Sequence, residues 1–262
     1  MDVTVAGRRV FVATGGQPFD PAVAPVLLLH GAGMDHTAWG LQTRWLAHHG
    51  RSVLAVDLPG HGRSEGPGIA AIPELGQWVL ALLDAVGAAT VGIAGHSMGA
   101  LIALAAVAEA PQRFRGLALL GVTPEMPVHP DLVAAARAGG PVAPALMSSW
   151  GFGTRAQLGG HKAPGLWMVG GGMRLIGQAD PETLARDLEA CAAWDGALAS
   201  AARVACPTLL LLGEDDRMTP AGRARPLAAA IAGARTIVLP GCGHMIMIER
   251  PDETLTRLAE IL

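Results

Sequence analysis

The chain predicts an α/β domain: a mainly parallel, twisted sheet with helices on both faces. Three observations lead there. Short, continuous apolar runs alternate with longer alanine-rich helical ones, and that alternation specifies strand–helix–strand units around a parallel sheet. The runs lack a polar face, as strands do when helices cover both sides of a sheet. At 262 residues, with 51% hydrophobic and 16% charged content, the chain can bury a sizeable core and is not disordered. One large domain with an insertion fits that length.

In order, residues 4–6 and 8–13 flank Gly7 and form an opening hairpin. Residues 26–29, 53–56, 91–94, 117–120, 208–212 and 236–239 read as buried strands. Helices are expected at about 38–49, 72–86, 98–108, 221–232 and 253–262. Pro73 and Pro251 fall near two helix starts, where a missing N–H costs little. The alternation breaks between about 122 and 202, a stretch rich in Gly–Gly steps and helical pieces such as 181–193. It reads as a helical cap inserted after the sixth strand, so residues 1–121 and 203–262 form the core and 122–202 the cap. No period of 20–50 residues repeats.

Composition removes several chemistries. The chain has no tyrosine, so a Tyr-x-x-x-Lys dehydrogenase site cannot exist. Lys162, its one lysine, lies in a Gly- and Pro-rich stretch unsuited to a P-loop or a Schiff base. No Gly-x-Gly-x-x-Gly follows a strand. Cys191, Cys206 and Cys242 are odd in number without metal spacing, and read as small apolar residues in a reducing compartment. A net charge of -3 gives no basic field for nucleic acid. No run reaches the roughly 18 apolar residues of a membrane span, and no leader peptide is readable at the N-terminus. A cytoplasmic protein acting on a small molecule is expected, its oligomeric state left open.

The strongest local pattern is Gly95-His96-Ser97-Met98-Gly99, after an expected strand and before an expected helix. A nucleophile elbow requires that context: a sharp turn exposes the serine hydroxyl, and a Cβ at either glycine would collide across it. Serine needs a base. Of nine histidines His244 has the best setting, on a loop after the last strand in Pro240-Gly241-Cys242-Gly243-His244. The base in turn needs an anion to fix its tautomer. Glu214, Asp215 and Asp216 follow the strand at 208–212, with Glu125 as a further candidate; one of the two aspartates is expected to cap or to pair with Arg217. Oxyanion donors are expected from the Met98 N–H and from His30-Gly31-Ala32-Gly33, where Ala32 is the donor and His30 a structural residue.

With these stretches in order, together with Asp57-Leu58-Pro59-Gly60-His61-Gly62-Arg63-Ser64, the chain resembles the α/β-hydrolase fold superfamily, in its cap-bearing, cofactor-free group. The resemblance implies the acid at the fourth position of Gly-x-x-Asp-x-x-x-Pro, which is Asp216, and Ala32 and Met98 at the oxyanion hole. It implies no metal and no organic cofactor. The serine nucleophile disfavours the dehalogenase and epoxide-hydrolase branches. The stretch 57–64 is taken as a structural turn.

These residues together describe a serine hydrolase acting on a carboxylic ester of a small or medium apolar compound. Alternatives with the same triad are a carbon–carbon bond hydrolase of ring-cleavage products, a lactonase and a perhydrolase. A ligand sensor that retains the triad is an alternative of another class. Trp150, Trp167 and Met168, with Phe152 and Met173, either form the cap's own small core or line an apolar pocket, and Trp39 beside the oxyanion loop could line the same pocket. Charges in the cap are few, chiefly Arg137, Arg155, Lys162 and Arg174.

Overall fold

The computed structural model describes residues 1–160 and 165–262; Lys162 lies outside the described residues. Eight strands form one sheet: β1 (Asp2–Val5), β2 (Arg8–Ala13), β3 (Pro25–Leu29), β4 (Ser52–Val56), β5 (Val91–His96), β6 (Phe114–Leu120), β7 (Thr208–Gly213) and β8 (Arg235–Leu239). Their spatial order is β1-β2-β4-β3-β5-β6-β7-β8, with β3 to β8 parallel and β1 and β2 antiparallel to their neighbours. The opening hairpin begins earlier than its residues suggested. Val5 pairs with Arg8, so Ala6 belongs to the turn with Gly7. Both turn residues have positive φ, 48° and 78°, as a two-residue type I′ turn requires.

Around the sheet lie α1 (Gly40–Ala47), α2 (Ile72–Ala85), α3 (Met98–Glu109), α4 (Pro130–Ala138), α5 (Val142–Gly151), α6 (Thr154–Gln157), α7 (Met168–Ile176), α8 (Pro181–Ala193), α9 (Ala197–Ala201), α10 (Arg225–Ala230), α11 (Ile246–Glu249) and α12 (Pro251–Ile261). α1 and α12 pack together, the latter against β6 and β7, while α2, α3 and α9 form a second group in which α3 meets β5 and β6. Covered in this way, β3, β4, β5 and β7 are buried at every position, which is why their sequences carry no polar face. Two expectations shift. The helix expected at 38–49 opens as a 3-10 turn at His36–Trp39 capped by Asp35, and the strand expected at 236–239 is the exposed edge of the sheet, with Val238 open to solvent.

Helices α4 to α9 all fall between β6 and β7. α4 packs on α8 and α5, and α5 on α7, whereas α9 packs against α3 and α10. Among the described residues no helix is long and apolar enough to cross a membrane.

Candidate active site

A parallel sheet gathers the loops that follow its strands at one edge, and ligands bind outside the carboxyl ends of such strands. Here the loop after β3 carries His30 to Gly33, that after β5 carries Ser97, that after β7 carries Asp216, and that after β8 carries His244. They meet although the chain separates the first from the last by more than 200 residues.

Ser97 sits between β5 and α3 at φ 55° and ψ -118°, a backbone state sparsely populated for any residue with a Cβ. The fold can hold it because Gly95 and Gly99 let the strand and helix backbones touch. A Cβ at Gly95 would lie 2.0 Å from the Gly99 carbonyl oxygen, and one at Gly99 would lie 2.5 Å from the His30 carbonyl oxygen. The Ser97 N–H donates to the Leu120 carbonyl, fixing the elbow to β6.

His244 is 1% exposed, and its Nδ1 lies 2.8 Å from Asp216 Oδ2. Asp216 Oδ2 also accepts from the Thr219 hydroxyl, while Oδ1 accepts the Met218 and Thr219 N–H groups. Burial would raise the Asp216 carboxyl, but the charge and hydrogen bond of His244 and the two Thr219 bonds outweigh it and hold the group at about 2. The carboxylate beside His244 is thus ionised throughout the neutral range. The rest of His244 is clamped: its carbonyl accepts from His96 Nε2 at 2.9 Å and its N–H donates to the Gly151 carbonyl. Its Nε2 is buried and has no hydrogen-bond partner among the described residues.

Two neighbouring histidines are held neutral. Burial and the adjacent His244 push His96 down to about 3, and burial with the adjacent His61 pushes His30 down to about 4. His30 donates from Nδ1 to the Gly31 carbonyl and accepts the Leu58 N–H at Nε2, so it ties the loop after β3 to the loop after β4. Asp57 does structural work in the same region, accepting from the His36 N–H and Nδ1 and from the Arg63 N–H. Asp35, His36 and Asp57 have metal-type ligand atoms within 4.8 Å of one another, but the Asp57 oxygens are already occupied by these donors.

Ser97 and His244 line one cavity of about 240 Å³, with Ala32 on its wall. Met34, Met126, Met147, Met218 and Met245 line it together with Val128, Leu132, Leu188, Cys191 and Trp150, while His96, His129, Arg217 and Thr219 add polar groups. The methionines make the apolar part of this wall adaptable. Of the aromatic and methionine positions singled out in the sequence, Trp150 reaches the cavity and the others do not. Trp39 is fully buried in the main core, because the 3-10 turn at His36–Trp39 rotates it inward. Trp167 is 66% exposed at the start of α7, and Met168 and Phe152 are buried in the helical layer between β6 and β7. Asp215 is half-buried and its N–H donates to the Cys242 carbonyl; of the two roles expected within the aspartate pair, Asp216 takes the capping one toward the Met218 and Thr219 N–H groups, and Arg217 has no ion pair among the described residues. Glu125 is exposed. All three cysteines are free and buried, and burial pushes the Cys191 and Cys242 thiols up.

The profile of the alpha/beta hydrolase family matches residues 26–257. The chain belongs to this family. Among relatives of this hydrolase is a dihydrolipoyllysine-residue acetyltransferase component of an acetoin cleaving system from Pseudomonas putida, 31% identical over 249 residues. The match covers 91% of this chain, which spans 63% of that relative's length. A pimeloyl-[acyl-carrier protein] methyl ester esterase from Methylococcus capsulatus is 26% identical over 280 residues, covering 97% of this chain and 98% of the esterase. In three dimensions the hydrolase matches the enol-lactonase of Burkholderia xenovorans LB400 with a TM-score of 0.87, at 24% identity and over 99% and 98% of the two chains, a likeness of fold.

The cavity lining was largely illegible in the sequence. Met218 and Met245 could have been found as chain neighbours of Asp216 and His244. Leu132, Met147 and Leu188 lie on helices whose apolar faces read the same whether they meet a core or a substrate.

Proposed function

We propose that this hydrolase cleaves a carboxylic ester with a small or medium apolar acyl or alcohol part, through an acyl-enzyme on Ser97. The observation that carries the reading is a serine in a strained elbow sharing one cavity with a histidine whose far nitrogen is bound to a buried carboxylate. The cap role of residues 122–202 is part of the same reading, with α4, α5 and α8 contributing to the cavity wall.

In this mechanism His244 Nε2 takes the proton of Ser97 Oγ as the oxygen attacks the ester carbonyl. Asp216 keeps the Nδ1–H tautomer and stabilises the imidazolium. The oxyanion is held by the N–H of Met98, in the first turn of α3 where helical N–H groups lack intrahelical acceptors, and by the N–H of Ala32. Collapse breaks the ester bond, and His244 returns its proton to the departing alcohol. Water then attacks the acyl carbon as His244 takes its proton; collapse breaks the bond to Ser97 Oγ, His244 returns that proton to Oγ, and the acid is released. No resident cofactor takes part in these steps. The methionine-lined wall suits an apolar acyl chain, and the esterase relative supports the ester as the bond cleaved.

Turnover of an activated ester by Ser97→Ala tests this reading. A fall of about 10⁴-fold in kcat in a folded variant, with loss of fluorophosphonate labelling, is expected. Near-parental turnover refutes it. A panel of acyl chain lengths then measures the pocket.

A further inference from the structure

Asp187 lies on α8, in the segment between β6 and β7, and its side chain is 2% exposed. A carboxylate so deeply buried on an amphipathic helix needs partners of some value. It has two, both on catalytic-side loops. Oδ2 accepts the Gly33 N–H at 2.9 Å and faces His61 Nε2 at 2.7 Å.

The His61 ring settles its own charge. Nδ1 faces the Pro59 carbonyl at 3.1 Å and Nε2 faces Asp187. Both partners are acceptors, so both ring nitrogens carry protons and the pair is an imidazolium with a carboxylate. The neighbouring His30 ring, 4.9 Å away, accepts the Leu58 N–H and is neutral.

The consequence falls on Ala32. The Gly31 carbonyl accepts from His30 Nδ1 at 2.9 Å and from the Met34 N–H at 3.1 Å. In a trans peptide the N–H points away from the carbonyl, so fixing that oxygen fixes the direction of the Ala32 N–H. The next peptide, which carries the Gly33 N–H, is fixed by Asp187. Both peptide planes around Ala32 are therefore pinned, one from the core and one from α8. The approach is close: a Cβ at Gly33, whose φ is +66°, would lie 2.6 Å from Leu184 of the same helix. α8 also supplies Leu188 and Cys191 to the cavity wall.

We infer that Asp187 is a positioning residue that makes the oxyanion hole complete only when α8 is seated over the site. The inference rests on the ester-hydrolase reading. Substrate contacts that hold α8 in place would thereby act on the oxyanion donor, converting binding of the remote acyl chain into a faster chemical step.

The test compares Asp187→Asn with the parent on one activated ester and on a trifluoromethyl ketone, whose tetrahedral adduct with Ser97 needs the oxyanion donors and whose ground state does not. A donor displaced by a fraction of an ångström should lower kcat about 10- to 100-fold, with KM within about threefold, and weaken the ketone in parallel. Arg137→Ala is the control. It breaks the surface ion pairs to Glu182 and Glu189 on α8 and touches no loop of the site, so kcat should not change. Asp187→Glu keeps the charge but cannot meet both donors at their present distances, and should lose at least fivefold in kcat.

Parental kcat in either folded Asp187 variant overturns the inference. So does a lower kcat with unchanged ketone affinity, or an Arg137→Ala variant equally impaired. Failure of both Asp187 variants to fold assigns the residue to folding alone and overturns it as well. A parent that depends on Ser97 while Asp187→Asn keeps full kcat sinks this inference only, whereas activity surviving Ser97→Ala sinks the triad reading.

Discussion

Replacing Gly95 with alanine should damage both the fold and the reaction, by amounts the elbow geometry sets. The new Cβ would stand 2.0 Å from the Gly99 carbonyl oxygen, 2.3 Å from its carbon and 2.6 Å from the Ala100 nitrogen. An ordinary carbon–oxygen contact is roughly 3.3 Å, so about 1.3 Å must be found by moving backbone. Neither side can give easily. β5 is buried throughout and paired on both edges, and Gly99 is itself packed against the carbonyls of Leu29 and His30. Overpacking of this kind costs about 3 kcal/mol. Ser97 is two residues away, and a shift near 1 Å at the nucleophile costs about 10²-fold in rate. Urea unfolding followed by tryptophan fluorescence measures the first number, and kcat/KM on an activated ester the second. Gly222→Ala, with nothing within 4 Å of the added carbon, should stay within about 0.5 kcal/mol of the parent. A Gly95→Ala variant within about 1 kcal/mol of the parent and above a tenth of its activity would refute the reasoning.

Two further outcomes follow from the same geometry. Asp216→Asn puts an amide where Oδ2 accepts from His244, favouring the tautomer protonated on Nε2, which cannot take the serine proton; kcat should fall about 10³- to 10⁴-fold with the fold retained, and loss of less than tenfold would contradict the assignment. The fold should also be acid-labile well above the carboxylate range. His30 and His96 are buried neutral, lowered from 6.5 to about 4 and about 3, so below pH 6.5 the unfolded chain binds protons that the folded one refuses. Stability from these two groups is therefore whole above pH 6.5 and drains as pH falls, with a slope approaching two protons, about 2.7 kcal/mol per pH unit, between pH 6 and 4. Raised values act the other way: His36 and His61 oppose the slope chiefly above pH 6, and Glu249 opposes it above 4.5, while Asp216 adds its own loss only below 3.8. Urea midpoints at pH 7.5, 6, 5 and 4 check this, and a flat profile would rule it out.

The sequence by itself determined the sheet and singled out the residues proposed to react at its edge. Strands buried on both faces must be continuous apolar runs, and the glycines flanking Ser97 are demanded by a turn in which two backbones touch; both requirements act within a few residues, so both are written locally. Position after a strand likewise singled out Ala32, Met98 and His244, while Asp216 was distinguished from Asp215 only through the family pattern, because adjacent carboxylates look alike until a fold turns one inward. Only the tertiary structure decided which apolar side chains meet the cavity, turning Trp39 into the core and Trp167 to solvent while bringing Met126 and Met147 to the cavity that Ser97 lines. It alone paired Asp187 with His61 and Gly33, residues 126 and 154 positions away. Burial and hydrogen bonding at such separations depend on how helices pack between β6 and β7, and an aspartate on an amphipathic helix carries no local sign of whether it will face water or be sealed beneath the helix.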